Sequence, residues 1–459
     1  MPDTKLQQDR DLLAAAESKG AAAKFAAYFK LSGPGWLQSA ITLGGGSLAG
    51  SLYIGVIGGY KMLWLQPVMM ILGIVMLSAI AYVTLSTGEK PFRSINKHIN
   101  PVLGWGWLFA AMIANLVWAM PQFSLGTAAM QQNLGLPLGD WGCVAIIFVI
   151  ASVVIWFYDA GGWGIKLFEI VLKVMVGLIV LAFFGVVAAL AFKGALPWAE
   201  VFGGFVPDFS LLSQPAENLR PFIAASSDPA YWDSKIVGIQ RNTMIAAAAT
   251  AVGINMTFLL PYSMLRKGWD RTFRGLATFD LSTGLFIPFV LATSCVVIAA
   301  ASQFHATYDK GLLGEAEPTA VTAKLQKAYD GNVSSFLADA ESPELINDAD
   351  RKLAAMTIKS DAGALAGSLE NVTGSKAVAQ YVFGLGVVGM AISTIIILML
   401  INGFTFTEAL GVPTSGVMHR VGSYLPAFTG ALGFMFIWGP IPEARFWLAI
   451  PTSRIGMML

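Results

Sequence analysis

Residues 33–51 read GPGWLQSAITLGGGSLAGS, an apolar stretch with three consecutive glycines at its centre. A glycine in a helix interior costs about 1 kcal/mol relative to alanine and leaves the backbone free to unwind. Small residues also allow helices to pack closely, but packing rarely needs three adjacent glycines. The stretch therefore predicts a helix that is broken at Gly44, Gly45 and Gly46.

The rest of the chain has the composition of a membrane protein. Of the 459 residues, 56% are hydrophobic and 12% are charged, and the mean hydropathy is +0.65. Uninterrupted apolar stretches of roughly twenty residues recur, each long enough to cross about 30 Å of hydrocarbon. Because lipid cannot satisfy the open edge of a sheet, these stretches predict an all-α membrane protein.

Nine spans and the beginning of a tenth are predicted along the chain. They lie near residues 36–60, 62–87, 103–132, 140–158, 163–193, 240–265, 275–302, 379–409 and 421–438, and a tenth begins at about Phe446. If the basic N-terminal segment is cytoplasmic, the short loops on the same side also carry Lys and Arg, as the positive-inside rule requires. We therefore expect a plasma-membrane protein, in the inner membrane of a bacterium, with a cytoplasmic N-terminus.

Span 6 carries a second interruption, five spans after the glycine triplet. It contains Gly253, Asn255 and Pro261. Two breaks related in this way are typical of an inverted repeat of five plus five helices, which holds its substrate at midplane between unwound segments. The predicted parts are a basic N-terminal segment (1–32), a first repeat (33–193), an extracytoplasmic loop (194–239) and a second repeat (240–459). The second repeat contains an extracytoplasmic insertion (303–378).

Several segments resemble one family of transporters. The opening Gly33-Pro34-Gly35-Trp36-Leu37 and the closing Gly59-Tyr60-Lys61-Met62-Leu63-Trp64 of span 1 are similar to the first helix of the Nramp divalent-metal transporters. Asp280 and the run Ala299-Ala300-Ala301-Ser302-Gln303-Phe304-His305 are similar to the family's seventh helix. The resemblance implies a leucine-transporter-like fold with broken helices 1 and 6, and secondary transport of a cation by alternating access.

The residues that bind the metal in that family are replaced in this chain. The family's first helix unwinds at an Asp-Pro-Gly-Asn motif, and the aligned residues here are Gly44, Gly45, Gly46 and Ser47. Its sixth helix has a Met-Pro-His type motif; the aligned residues begin at about Thr257, and Met256 lies one position away. A divalent ion stripped of water needs anionic or strongly donating ligands, so the identity of the metal ligands is left open.

The predicted substrate site consists of residues at the two breaks and one from span 3: Gly44, Gly45, Gly46, Ser47, Gln122, Asn255, Met256 and Thr257. The leading function is transport of a cation, with a metal ion as the leading candidate and with proton or sodium coupling left open. A small organic solute such as an amino acid is an alternative, because an unwound helix also presents N–H groups to a carboxylate. A degenerate transporter that acts as a membrane sensor is another. No sequence motif indicates an enzyme, a cofactor or a nucleic-acid partner, and the oligomeric state is open.

Polar residues within the spans are candidates for coupling, gating or packing. Glu169 and Lys173 are four residues apart in span 5 and are expected to pair near its cytoplasmic end. Asp280 lies within about two turns of Arg274, so it either pairs with a cytoplasmic base or gates the inner vestibule. Gln122 in span 3 either lines the central cavity or forms an interhelical hydrogen bond.

Overall fold

The computed structural model describes residues 2–159, 162–340, 346–359, 361–441, 447–448 and 451–452. These residues form helices and connecting loops, with no β-strand among them. The α-helices, in chain order, are α1 (Pro2–Lys19), α2 (Ala21–Leu31), α3 (Pro34–Thr42), α4 (Gly45–Gly58), α5 (Leu65–Thr87), α6 (Pro91–His98), α7 (Pro101–Ala128), α8 (Asp140–Asp159), α9 (Gly162–Phe192), α10 (Trp198–Gly203), α11 (Arg220–Ala225), α12 (Pro229–Ala251), α13 (Ile254–Arg266), α14 (Arg274–Asp280), α15 (Ile287–Phe304), α16 (Ala320–Asp339), α17 (Asp348–Met356), α18 (Ala362–Thr373), α19 (Phe383–Ala409) and α20 (Val417–Gly433). Turns of π-helix lie at Ala129–Asn133, Leu281–Phe286, Ala377–Val382 and Phe434–Trp438, and short 3₁₀ helices at Gly59–Met62, Phe209–Leu212, Glu217–Leu219, Arg271–Phe273 and Lys310–Leu313.

Within the described residues, eight helical segments are long and apolar enough to cross a membrane. They are Leu65–Thr87, Pro101–Asn133, Asp140–Tyr158, Trp163–Phe192, Pro229–Arg266, Arg271–Phe304, Ala379–Ala409 and Val417–Trp438. A ninth span consists of Pro34–Thr42 and Gly45–Met62, which are bent by 58° relative to each other. The all-helical membrane architecture is therefore confirmed. The tenth predicted span, from Phe446 onward, falls almost entirely outside the described residues.

The first span is interrupted, as predicted. Helices α3 and α4 are separated only by Leu43 and Gly44, and Gly44 is extended, with φ −128° and ψ −175°. The Ser47 Oγ atom lies 2.6 Å from the Thr42 carbonyl oxygen and accepts a hydrogen bond from the Gly44 N–H at 3.1 Å. The other two glycines of the triplet belong to the first turn of α4, because Ser47 satisfies the backbone where that turn begins.

The sixth span is interrupted at Gly253, one of the three residues predicted for this break. Helices α12 and α13 are separated by Val252 and Gly253, which are both extended. The prediction that Asn255 and Pro261 take part in the interruption is wrong, since both lie inside α13. A β-carbon on Gly253 would stand 2.9 Å from Asn255 Oδ1 and 3.2 Å from the Trp118 ring. The backbone passes this crowded point because glycine has no side chain.

The two interrupted spans lie at the centre of the fold. Helix α3 packs against α9, α13 and α19, and α4 packs against α12 and α15. Helix α19 is buried along most of its length and also contacts α7, α9 and α20. By contrast, α5, α8 and α9 expose large apolar side chains such as Leu72, Val149 and Leu181, as a lipid-facing surface does. The outer helices therefore enclose a central group in which the breaks meet.

Two peripheral segments cover the ends of the central helices. The α1–α2 hairpin is joined to the loop after α13 by an ion pair of 2.9 Å between Arg10 and Asp270. Helices α16, α17 and α18 belong to the insertion at 303–378. Asp350 on α17 is buried and accepts hydrogen bonds from the Ser227 hydroxyl at 2.6 Å and from Trp232 Nε1 at 2.8 Å. The insertion is thus attached to the start of α12 by buried polar contacts. The domain boundaries remain predictions from the sequence.

Candidate functional site

A cavity of about 120 Å³ lies where the two breaks meet. It is lined by Ile41, Thr42, Gly44, Gly46, Ser47, Trp118, Gln122, Ala249, Thr250, Gly253, Asn255 and Met256. Six of the eight residues predicted for the substrate site are in this wall: Gly44, Gly46, Ser47, Gln122, Asn255 and Met256. Residues that are up to about 200 positions apart in sequence are therefore brought together by the interruption of two helices.

The other two predicted residues, Gly45 and Thr257, lie beside the cavity. The Gly45 N–H donates a hydrogen bond of 2.9 Å to Gln122 Oε1, which orients that amide. The Thr257 hydroxyl donates to the Ile254 carbonyl oxygen and accepts a hydrogen bond of 3.0 Å from Trp107 Nε1. Thr257 is outside the cavity wall, contrary to the prediction, because its hydroxyl is held by its own helix and by α7.

Amide side chains surround the cavity and are only partly satisfied. Asn255 Nδ2 donates a hydrogen bond of 3.3 Å to Asn115 Oδ1, and Gln38 Nε2 donates one of 3.4 Å to the Met256 carbonyl oxygen. Within the described structure, Asn115 Nδ2 and Gln38 Oε1 are buried and have no hydrogen-bond partner. Buried polar groups are normally bonded, so these two unpaired atoms mark a polar region directly behind the cavity wall.

The cavity wall is electrically neutral. Its polar side chains are hydroxyls, amides and one thioether, and the Thr42 hydroxyl lies 3.3 Å from Met256 Sδ. Among the described residues, no group of three or more His, Cys, Asp or Glu side chains could hold a metal ion. Helices α3 and α12 end at the cavity, and α4 and α13 begin there, so negative and positive ends of helix dipoles meet at the cavity.

The cavity opens toward the side opposite the N-terminal hairpin. Helices α3 and α13 form the half of the interrupted spans nearer the hairpin, and their lining residues Thr42 and Met256 are buried. Helices α4 and α12 form the other half, where the lining residue Gly46 is exposed and Thr250 is half-buried. The structure is therefore closed on the N-terminal side of the cavity.

A buried carboxylate lies at the start of α3, on the N-terminal side of the cavity. Asp280 is 1% exposed and accepts hydrogen bonds from the N–H groups of Gly33, 3.1 Å from each oxygen, and of Gly35, at 2.7 Å. These N–H groups stand at the start of α3, where the helix dipole is positive. Arg274 instead stacks on the Tyr82 ring at 4.6 Å, so the expected pairing of Asp280 with a cytoplasmic base is absent from the described contacts.

Glu169 and Lys173 lie near the same helix start but do not form the predicted ion pair in the described structure. Glu169 Oε1 is 2.8 Å from Lys267 Nζ, while Lys173 Nζ donates a hydrogen bond of 2.9 Å to the Ser32 carbonyl oxygen. Lys267, which follows α13, reaches Glu169 from a neighbouring helix. Glu169 therefore pairs with Lys267, from beyond the end of α13, and not with Lys173 of its own helix.

A second buried carboxylate ties the loop between α5 and α7 to α19. Glu408 is 2% exposed and lies 2.7 Å from Lys90 Nζ and 3.1 Å from Arg93 Nε. Helix α19 also packs on α3, so the ion pairs of Glu408 connect the segment between α5 and α7 to the helices around the cavity. Asp280 and Glu408 are therefore both buried and both paired: Asp280 with backbone N–H groups, and Glu408 with Lys90 and Arg93.

Six residues of the cavity wall were not among the predicted substrate-site residues: Ile41, Thr42, Trp118, Ala249, Thr250 and Gly253. Gly253 had been predicted only as part of the second break. Ile41 and Thr42 directly precede the glycine triplet, and their position next to a predicted break was a usable signal. Ala249 and Thr250 follow a run of alanines and carry no such signal. They line the cavity because α12 ends at Ala251, directly before the second break.

Comparison with known proteins gives a family match over most of the chain. A family model described as natural resistance-associated macrophage protein-like (Nramp) matches residues 35–337. The manganese transporter pdt1 of Schizosaccharomyces pombe is 23% identical over 188 residues, which are 41% of this chain. The match spans only about a third, 35%, of the length of that relative.

Solved structures are similar over nearly the full length. A crystal structure of the Eremococcus coleocola manganese transporter, in complex with an aromatic bis-isothiourea compound, has a TM-score of 0.51 at 13% identity and covers 95% of this chain and 93% of that chain. A mutant of the same transporter has a TM-score of 0.50 at 13% identity, with 94% and 92% covered. The likeness confirms the predicted fold class, the leucine-transporter-like inverted repeat with interrupted first and sixth helices.

Proposed function

The chain belongs to the natural resistance-associated macrophage protein-like (Nramp) family, and we propose that it is a secondary transporter that moves a metal cation by alternating access. The observation that carries the proposal is the cavity between two interrupted helices, where the negative ends of the α3 and α12 dipoles meet and favour a cation. The relatives, which are named as manganese transporters, support the metal class. Manganese itself is not assumed, because Gly44 stands where the family has its metal-binding aspartate.

The hydrogen bonds at the first break favour a cation over an organic anion. An anion would need the free N–H groups at the start of α4. The Gly44 N–H already donates to Ser47 Oγ at 3.1 Å, and the Gly45 N–H donates to Gln122 Oε1 at 2.9 Å. The positive end of α4 is thus occupied by side chains of the protein, which lowers the support for a carboxylate substrate such as an amino acid.

The neutral wall favours an ion that keeps part of its water shell. Neutral hydroxyl and amide oxygens replace the water around a divalent ion poorly, and the smaller ions lose water reluctantly. A cavity of about 120 Å³ has room for an ion together with several waters. The amides of Gln122 and Asn255, which line the cavity, are suited to hydrogen-bond such waters.

Uptake into proteoliposomes tests this function with the full chain. The panel is Mg²⁺, Mn²⁺, Ca²⁺, Na⁺ and several amino acids, and the variants are Asn255→Leu and Met256→Leu. Asn402→Leu and Met264→Leu are matched controls, because Asn402 bonds to the Gly422 carbonyl oxygen and Met264 is buried on α13 outside the cavity. All variants are first compared with the wild type for folding by size-exclusion chromatography.

We expect a divalent cation to be taken up by the wild type and by both controls. Asn255→Leu should lower its uptake roughly tenfold or more, because a polar group that contacts the ion or its water is replaced by an apolar one. Met256→Leu should lower uptake of Mn²⁺ more than that of Mg²⁺, since a thioether is a soft ligand. Uptake of amino acids alone would refute the proposal and move the protein to the organic-solute class, and binding without flux would make it a sensor.

The proposed orientation places the N-terminal hairpin in the cytoplasm of a cell whose plasma membrane holds the protein. Lys90, Arg93, Lys267 and Arg274 all lie in short connections on the side of the hairpin, which supports this arrangement by the positive-inside rule. Labelling of single cysteines placed at these loops in intact cells and in inverted vesicles tests it, and labelling in intact cells would reverse the orientation.

A further inference from the structure

Tyr82 marks the level at which the lipid-facing surface ends on the side of the N-terminal hairpin. It lies on α5, five residues before the end of that helix at Thr87, or about 8 Å along the helix axis, and it is 58% exposed. Tyrosines near the ends of membrane spans lie at the level of the lipid headgroups. The Arg274 guanidinium carbon is 4.6 Å from the centre of the Tyr82 ring. Arg274, at the start of α14, therefore lies at headgroup level.

Helix α2 continues this surface beyond α14. The Phe25 ring packs edge-on against the Phe279 ring, with 5.3 Å between their centres, and it is stacked on the Phe29 ring, with 6.5 Å between centres. Phe279 is five residues further into its span than Arg274, so Phe25 reaches below headgroup level. Phe25 and Phe29 are 58% and 59% exposed. Two adjacent exposed rings at this depth are placed for contact with acyl chains.

Three basic side chains border these rings. Lys30 lies at the end of α2 and is exposed, Arg271 is exposed in the 3₁₀ turn before α14, and Arg274 is half-buried at the start of α14. None of the three forms an ion pair in the part of the chain that the structure describes, whereas Lys24 on α2 is paired with Glu17 at 3.3 Å. Their positive charges are therefore available to a partner outside the protein.

We propose that an anionic phospholipid, from the leaflet on the side of the hairpin, binds to this surface. Its phosphate would contact Arg274, and its acyl chains would cover Phe25 and Phe29. Arg274 Nε donates a hydrogen bond of 3.0 Å to the Arg271 carbonyl oxygen, which leaves the two Nη groups in the described structure to form a fork that matches a phosphate. A zwitterionic headgroup carries its own cation, so three bases favour a headgroup with a net negative charge. The lipid surface consists of Phe25, Phe29, Lys30, Tyr82, Arg271, Arg274 and Phe279.

The lipid surface joins two elements that meet where the cavity is closed. Only Ser32 and Gly33 separate α2 from α3. The Ser32 carbonyl oxygen accepts a hydrogen bond of 2.9 Å from Lys173 Nζ, and the Gly33 N–H donates one of 3.1 Å to Asp280 at the end of α14. A lipid that bridges α2 and α14 therefore favours the state in which α3 is closed. This consequence rests on the proposed alternating access, whereas the binding of the lipid does not.

Two sets of variants separate lipid binding from general effects of charge. Arg274→Gln removes one base, and Lys30→Gln with Arg271→Gln and Arg274→Gln removes all three. The control is Lys97→Gln, because Lys97 on α6 is an exposed base on the same side and is paired with Glu89 at 3.3 Å.

A third set tests the apolar part of the lipid surface. The double substitution Phe25→Gln and Phe29→Gln removes both exposed rings. Its control is Phe202→Gln, because Phe202 is 67% exposed on α10, at the opposite side of the protein. All of these side chains are at the surface, and folding is compared by size-exclusion chromatography.

The measurement is binding of radiolabelled phosphatidylglycerol to the full chain in detergent, with unlabelled phosphatidylglycerol, phosphatidylcholine and glycerol 3-phosphate as competitors. We expect only phosphatidylglycerol to compete, because the other two lack the net charge or the acyl chains. Arg274→Gln should weaken binding roughly fivefold and the triple variant roughly 100-fold, since each base near the headgroups contributes about a factor of five. Loss of both rings should weaken it roughly tenfold. Both controls should bind as the wild type does.

The effect on closure is measured in lipid nanodiscs with the substitution Gln38→Cys, because Gln38 is fully buried on α3. Adding phosphatidylglycerol to phosphatidylcholine should slow labelling by a thiol reagent roughly fivefold, the factor expected if opening separates one base from the lipid. Arg274→Gln should remove this difference between the two lipid compositions, and Lys97→Gln should keep it.

Two results would overturn the lipid site: equal competition by phosphatidylglycerol and phosphatidylcholine, or equal affinity of Arg274→Gln and Lys97→Gln. Competition by glycerol 3-phosphate would overturn the lipid as the occupant in favour of a free phosphate. Specific lipid binding that leaves labelling unchanged would overturn the link to the closed side alone. Absence of metal uptake in every lipid would instead overturn the proposed transport function, while the binding measurement still decides the lipid site.

Discussion

Asp280→Asn is expected to release the start of α3 and to open the N-terminal side of the cavity. The carboxylate accepts hydrogen bonds from two donors, the N–H groups of Gly33 and Gly35. A charge-assisted hydrogen bond contributes about 1.5–3 kcal/mol and a neutral one about 0.5–1.5 kcal/mol. An amide oxygen keeps the acceptor and loses the charge, so the cost is about 1 kcal/mol for each donor and about 2 kcal/mol in total.

A loss of about 2 kcal/mol shifts the balance between closed and open states about 30-fold. The substitution Gln38→Cys reports on the balance between the closed and open states, because Gln38 is fully buried on α3 in the closed structure. The two native cysteines, Cys143 and Cys295, are buried and give little background. In the Gln38→Cys background, Asp280→Asn should raise the rate of labelling by a membrane-impermeant thiol reagent, added from the N-terminal side, by up to about 30-fold.

Asp270→Asn is the matched control for this experiment. Asp270 lies in the loop before α14, is 40% exposed in its side chain and pairs with Arg10 at the surface. Since exposed ion pairs contribute about 0–1 kcal/mol, labelling should change by less than about fivefold. Equal labelling of the Asp280→Asn and Asp270→Asn proteins would refute the assignment of Asp280 as the group that holds α3 closed.

Three further predictions concern stability, measured as the thermal unfolding midpoint in detergent. Gly55→Ala should destabilise the protein by about 1–3 kcal/mol, because its β-carbon would stand 2.7 Å from that of Ala300, whereas Gly50→Ala, with its nearest neighbour at 3.8 Å, should not. Glu408→Gln should cost about 1–2 kcal/mol through the loss of charge-assisted bonds to Lys90 and Arg93, and an unchanged midpoint would contradict this. Burial lowers the pKa of His305, so its imidazole binds a proton more tightly in the unfolded chain than in the folded one. The unfolding midpoint should therefore fall as the pH drops below about 6.5, the ordinary pKa of histidine, and His305→Gln should remove this contribution.

The first break was predictable from sequence because its cause is local. Three adjacent glycines weaken a helix wherever it lies, and the structure breaks the helix at the first of them. At the second break, Gly253 was predicted correctly from sequence, but Asn255 and Pro261 were wrongly included, because the extent of the interruption is set by tertiary contacts. Pro261 is tolerated inside α13, and the chain is interrupted at Gly253, where the Trp118 ring of α7 and Asn255 leave no room for a side chain.

The ion pairs show the same division between local and tertiary causes. Glu169 and Lys173 are well placed for each other on an isolated helix, where such a pair contributes only about 0.2–0.5 kcal/mol. In the folded chain, Lys267 and the Ser32 carbonyl oxygen compete for them at 2.8 and 2.9 Å. No pattern within span 5 encodes those partners, which are supplied by residues about 100 and 140 positions away.

The replacement at the first break changes what the cavity wall offers to a metal. An aspartate at the position of Gly44 would supply an anionic ligand, whereas the polar side chains of the described wall are neutral. Ser47, at the position of the family's asparagine, uses its hydroxyl to hold the backbone of the break: it accepts a hydrogen bond from the Gly44 N–H and donates one to the Thr42 carbonyl oxygen. The serine that replaces the asparagine therefore holds the first break by local hydrogen bonds, and a metal in the cavity meets neutral groups such as the Asn255 amide and the Met256 thioether.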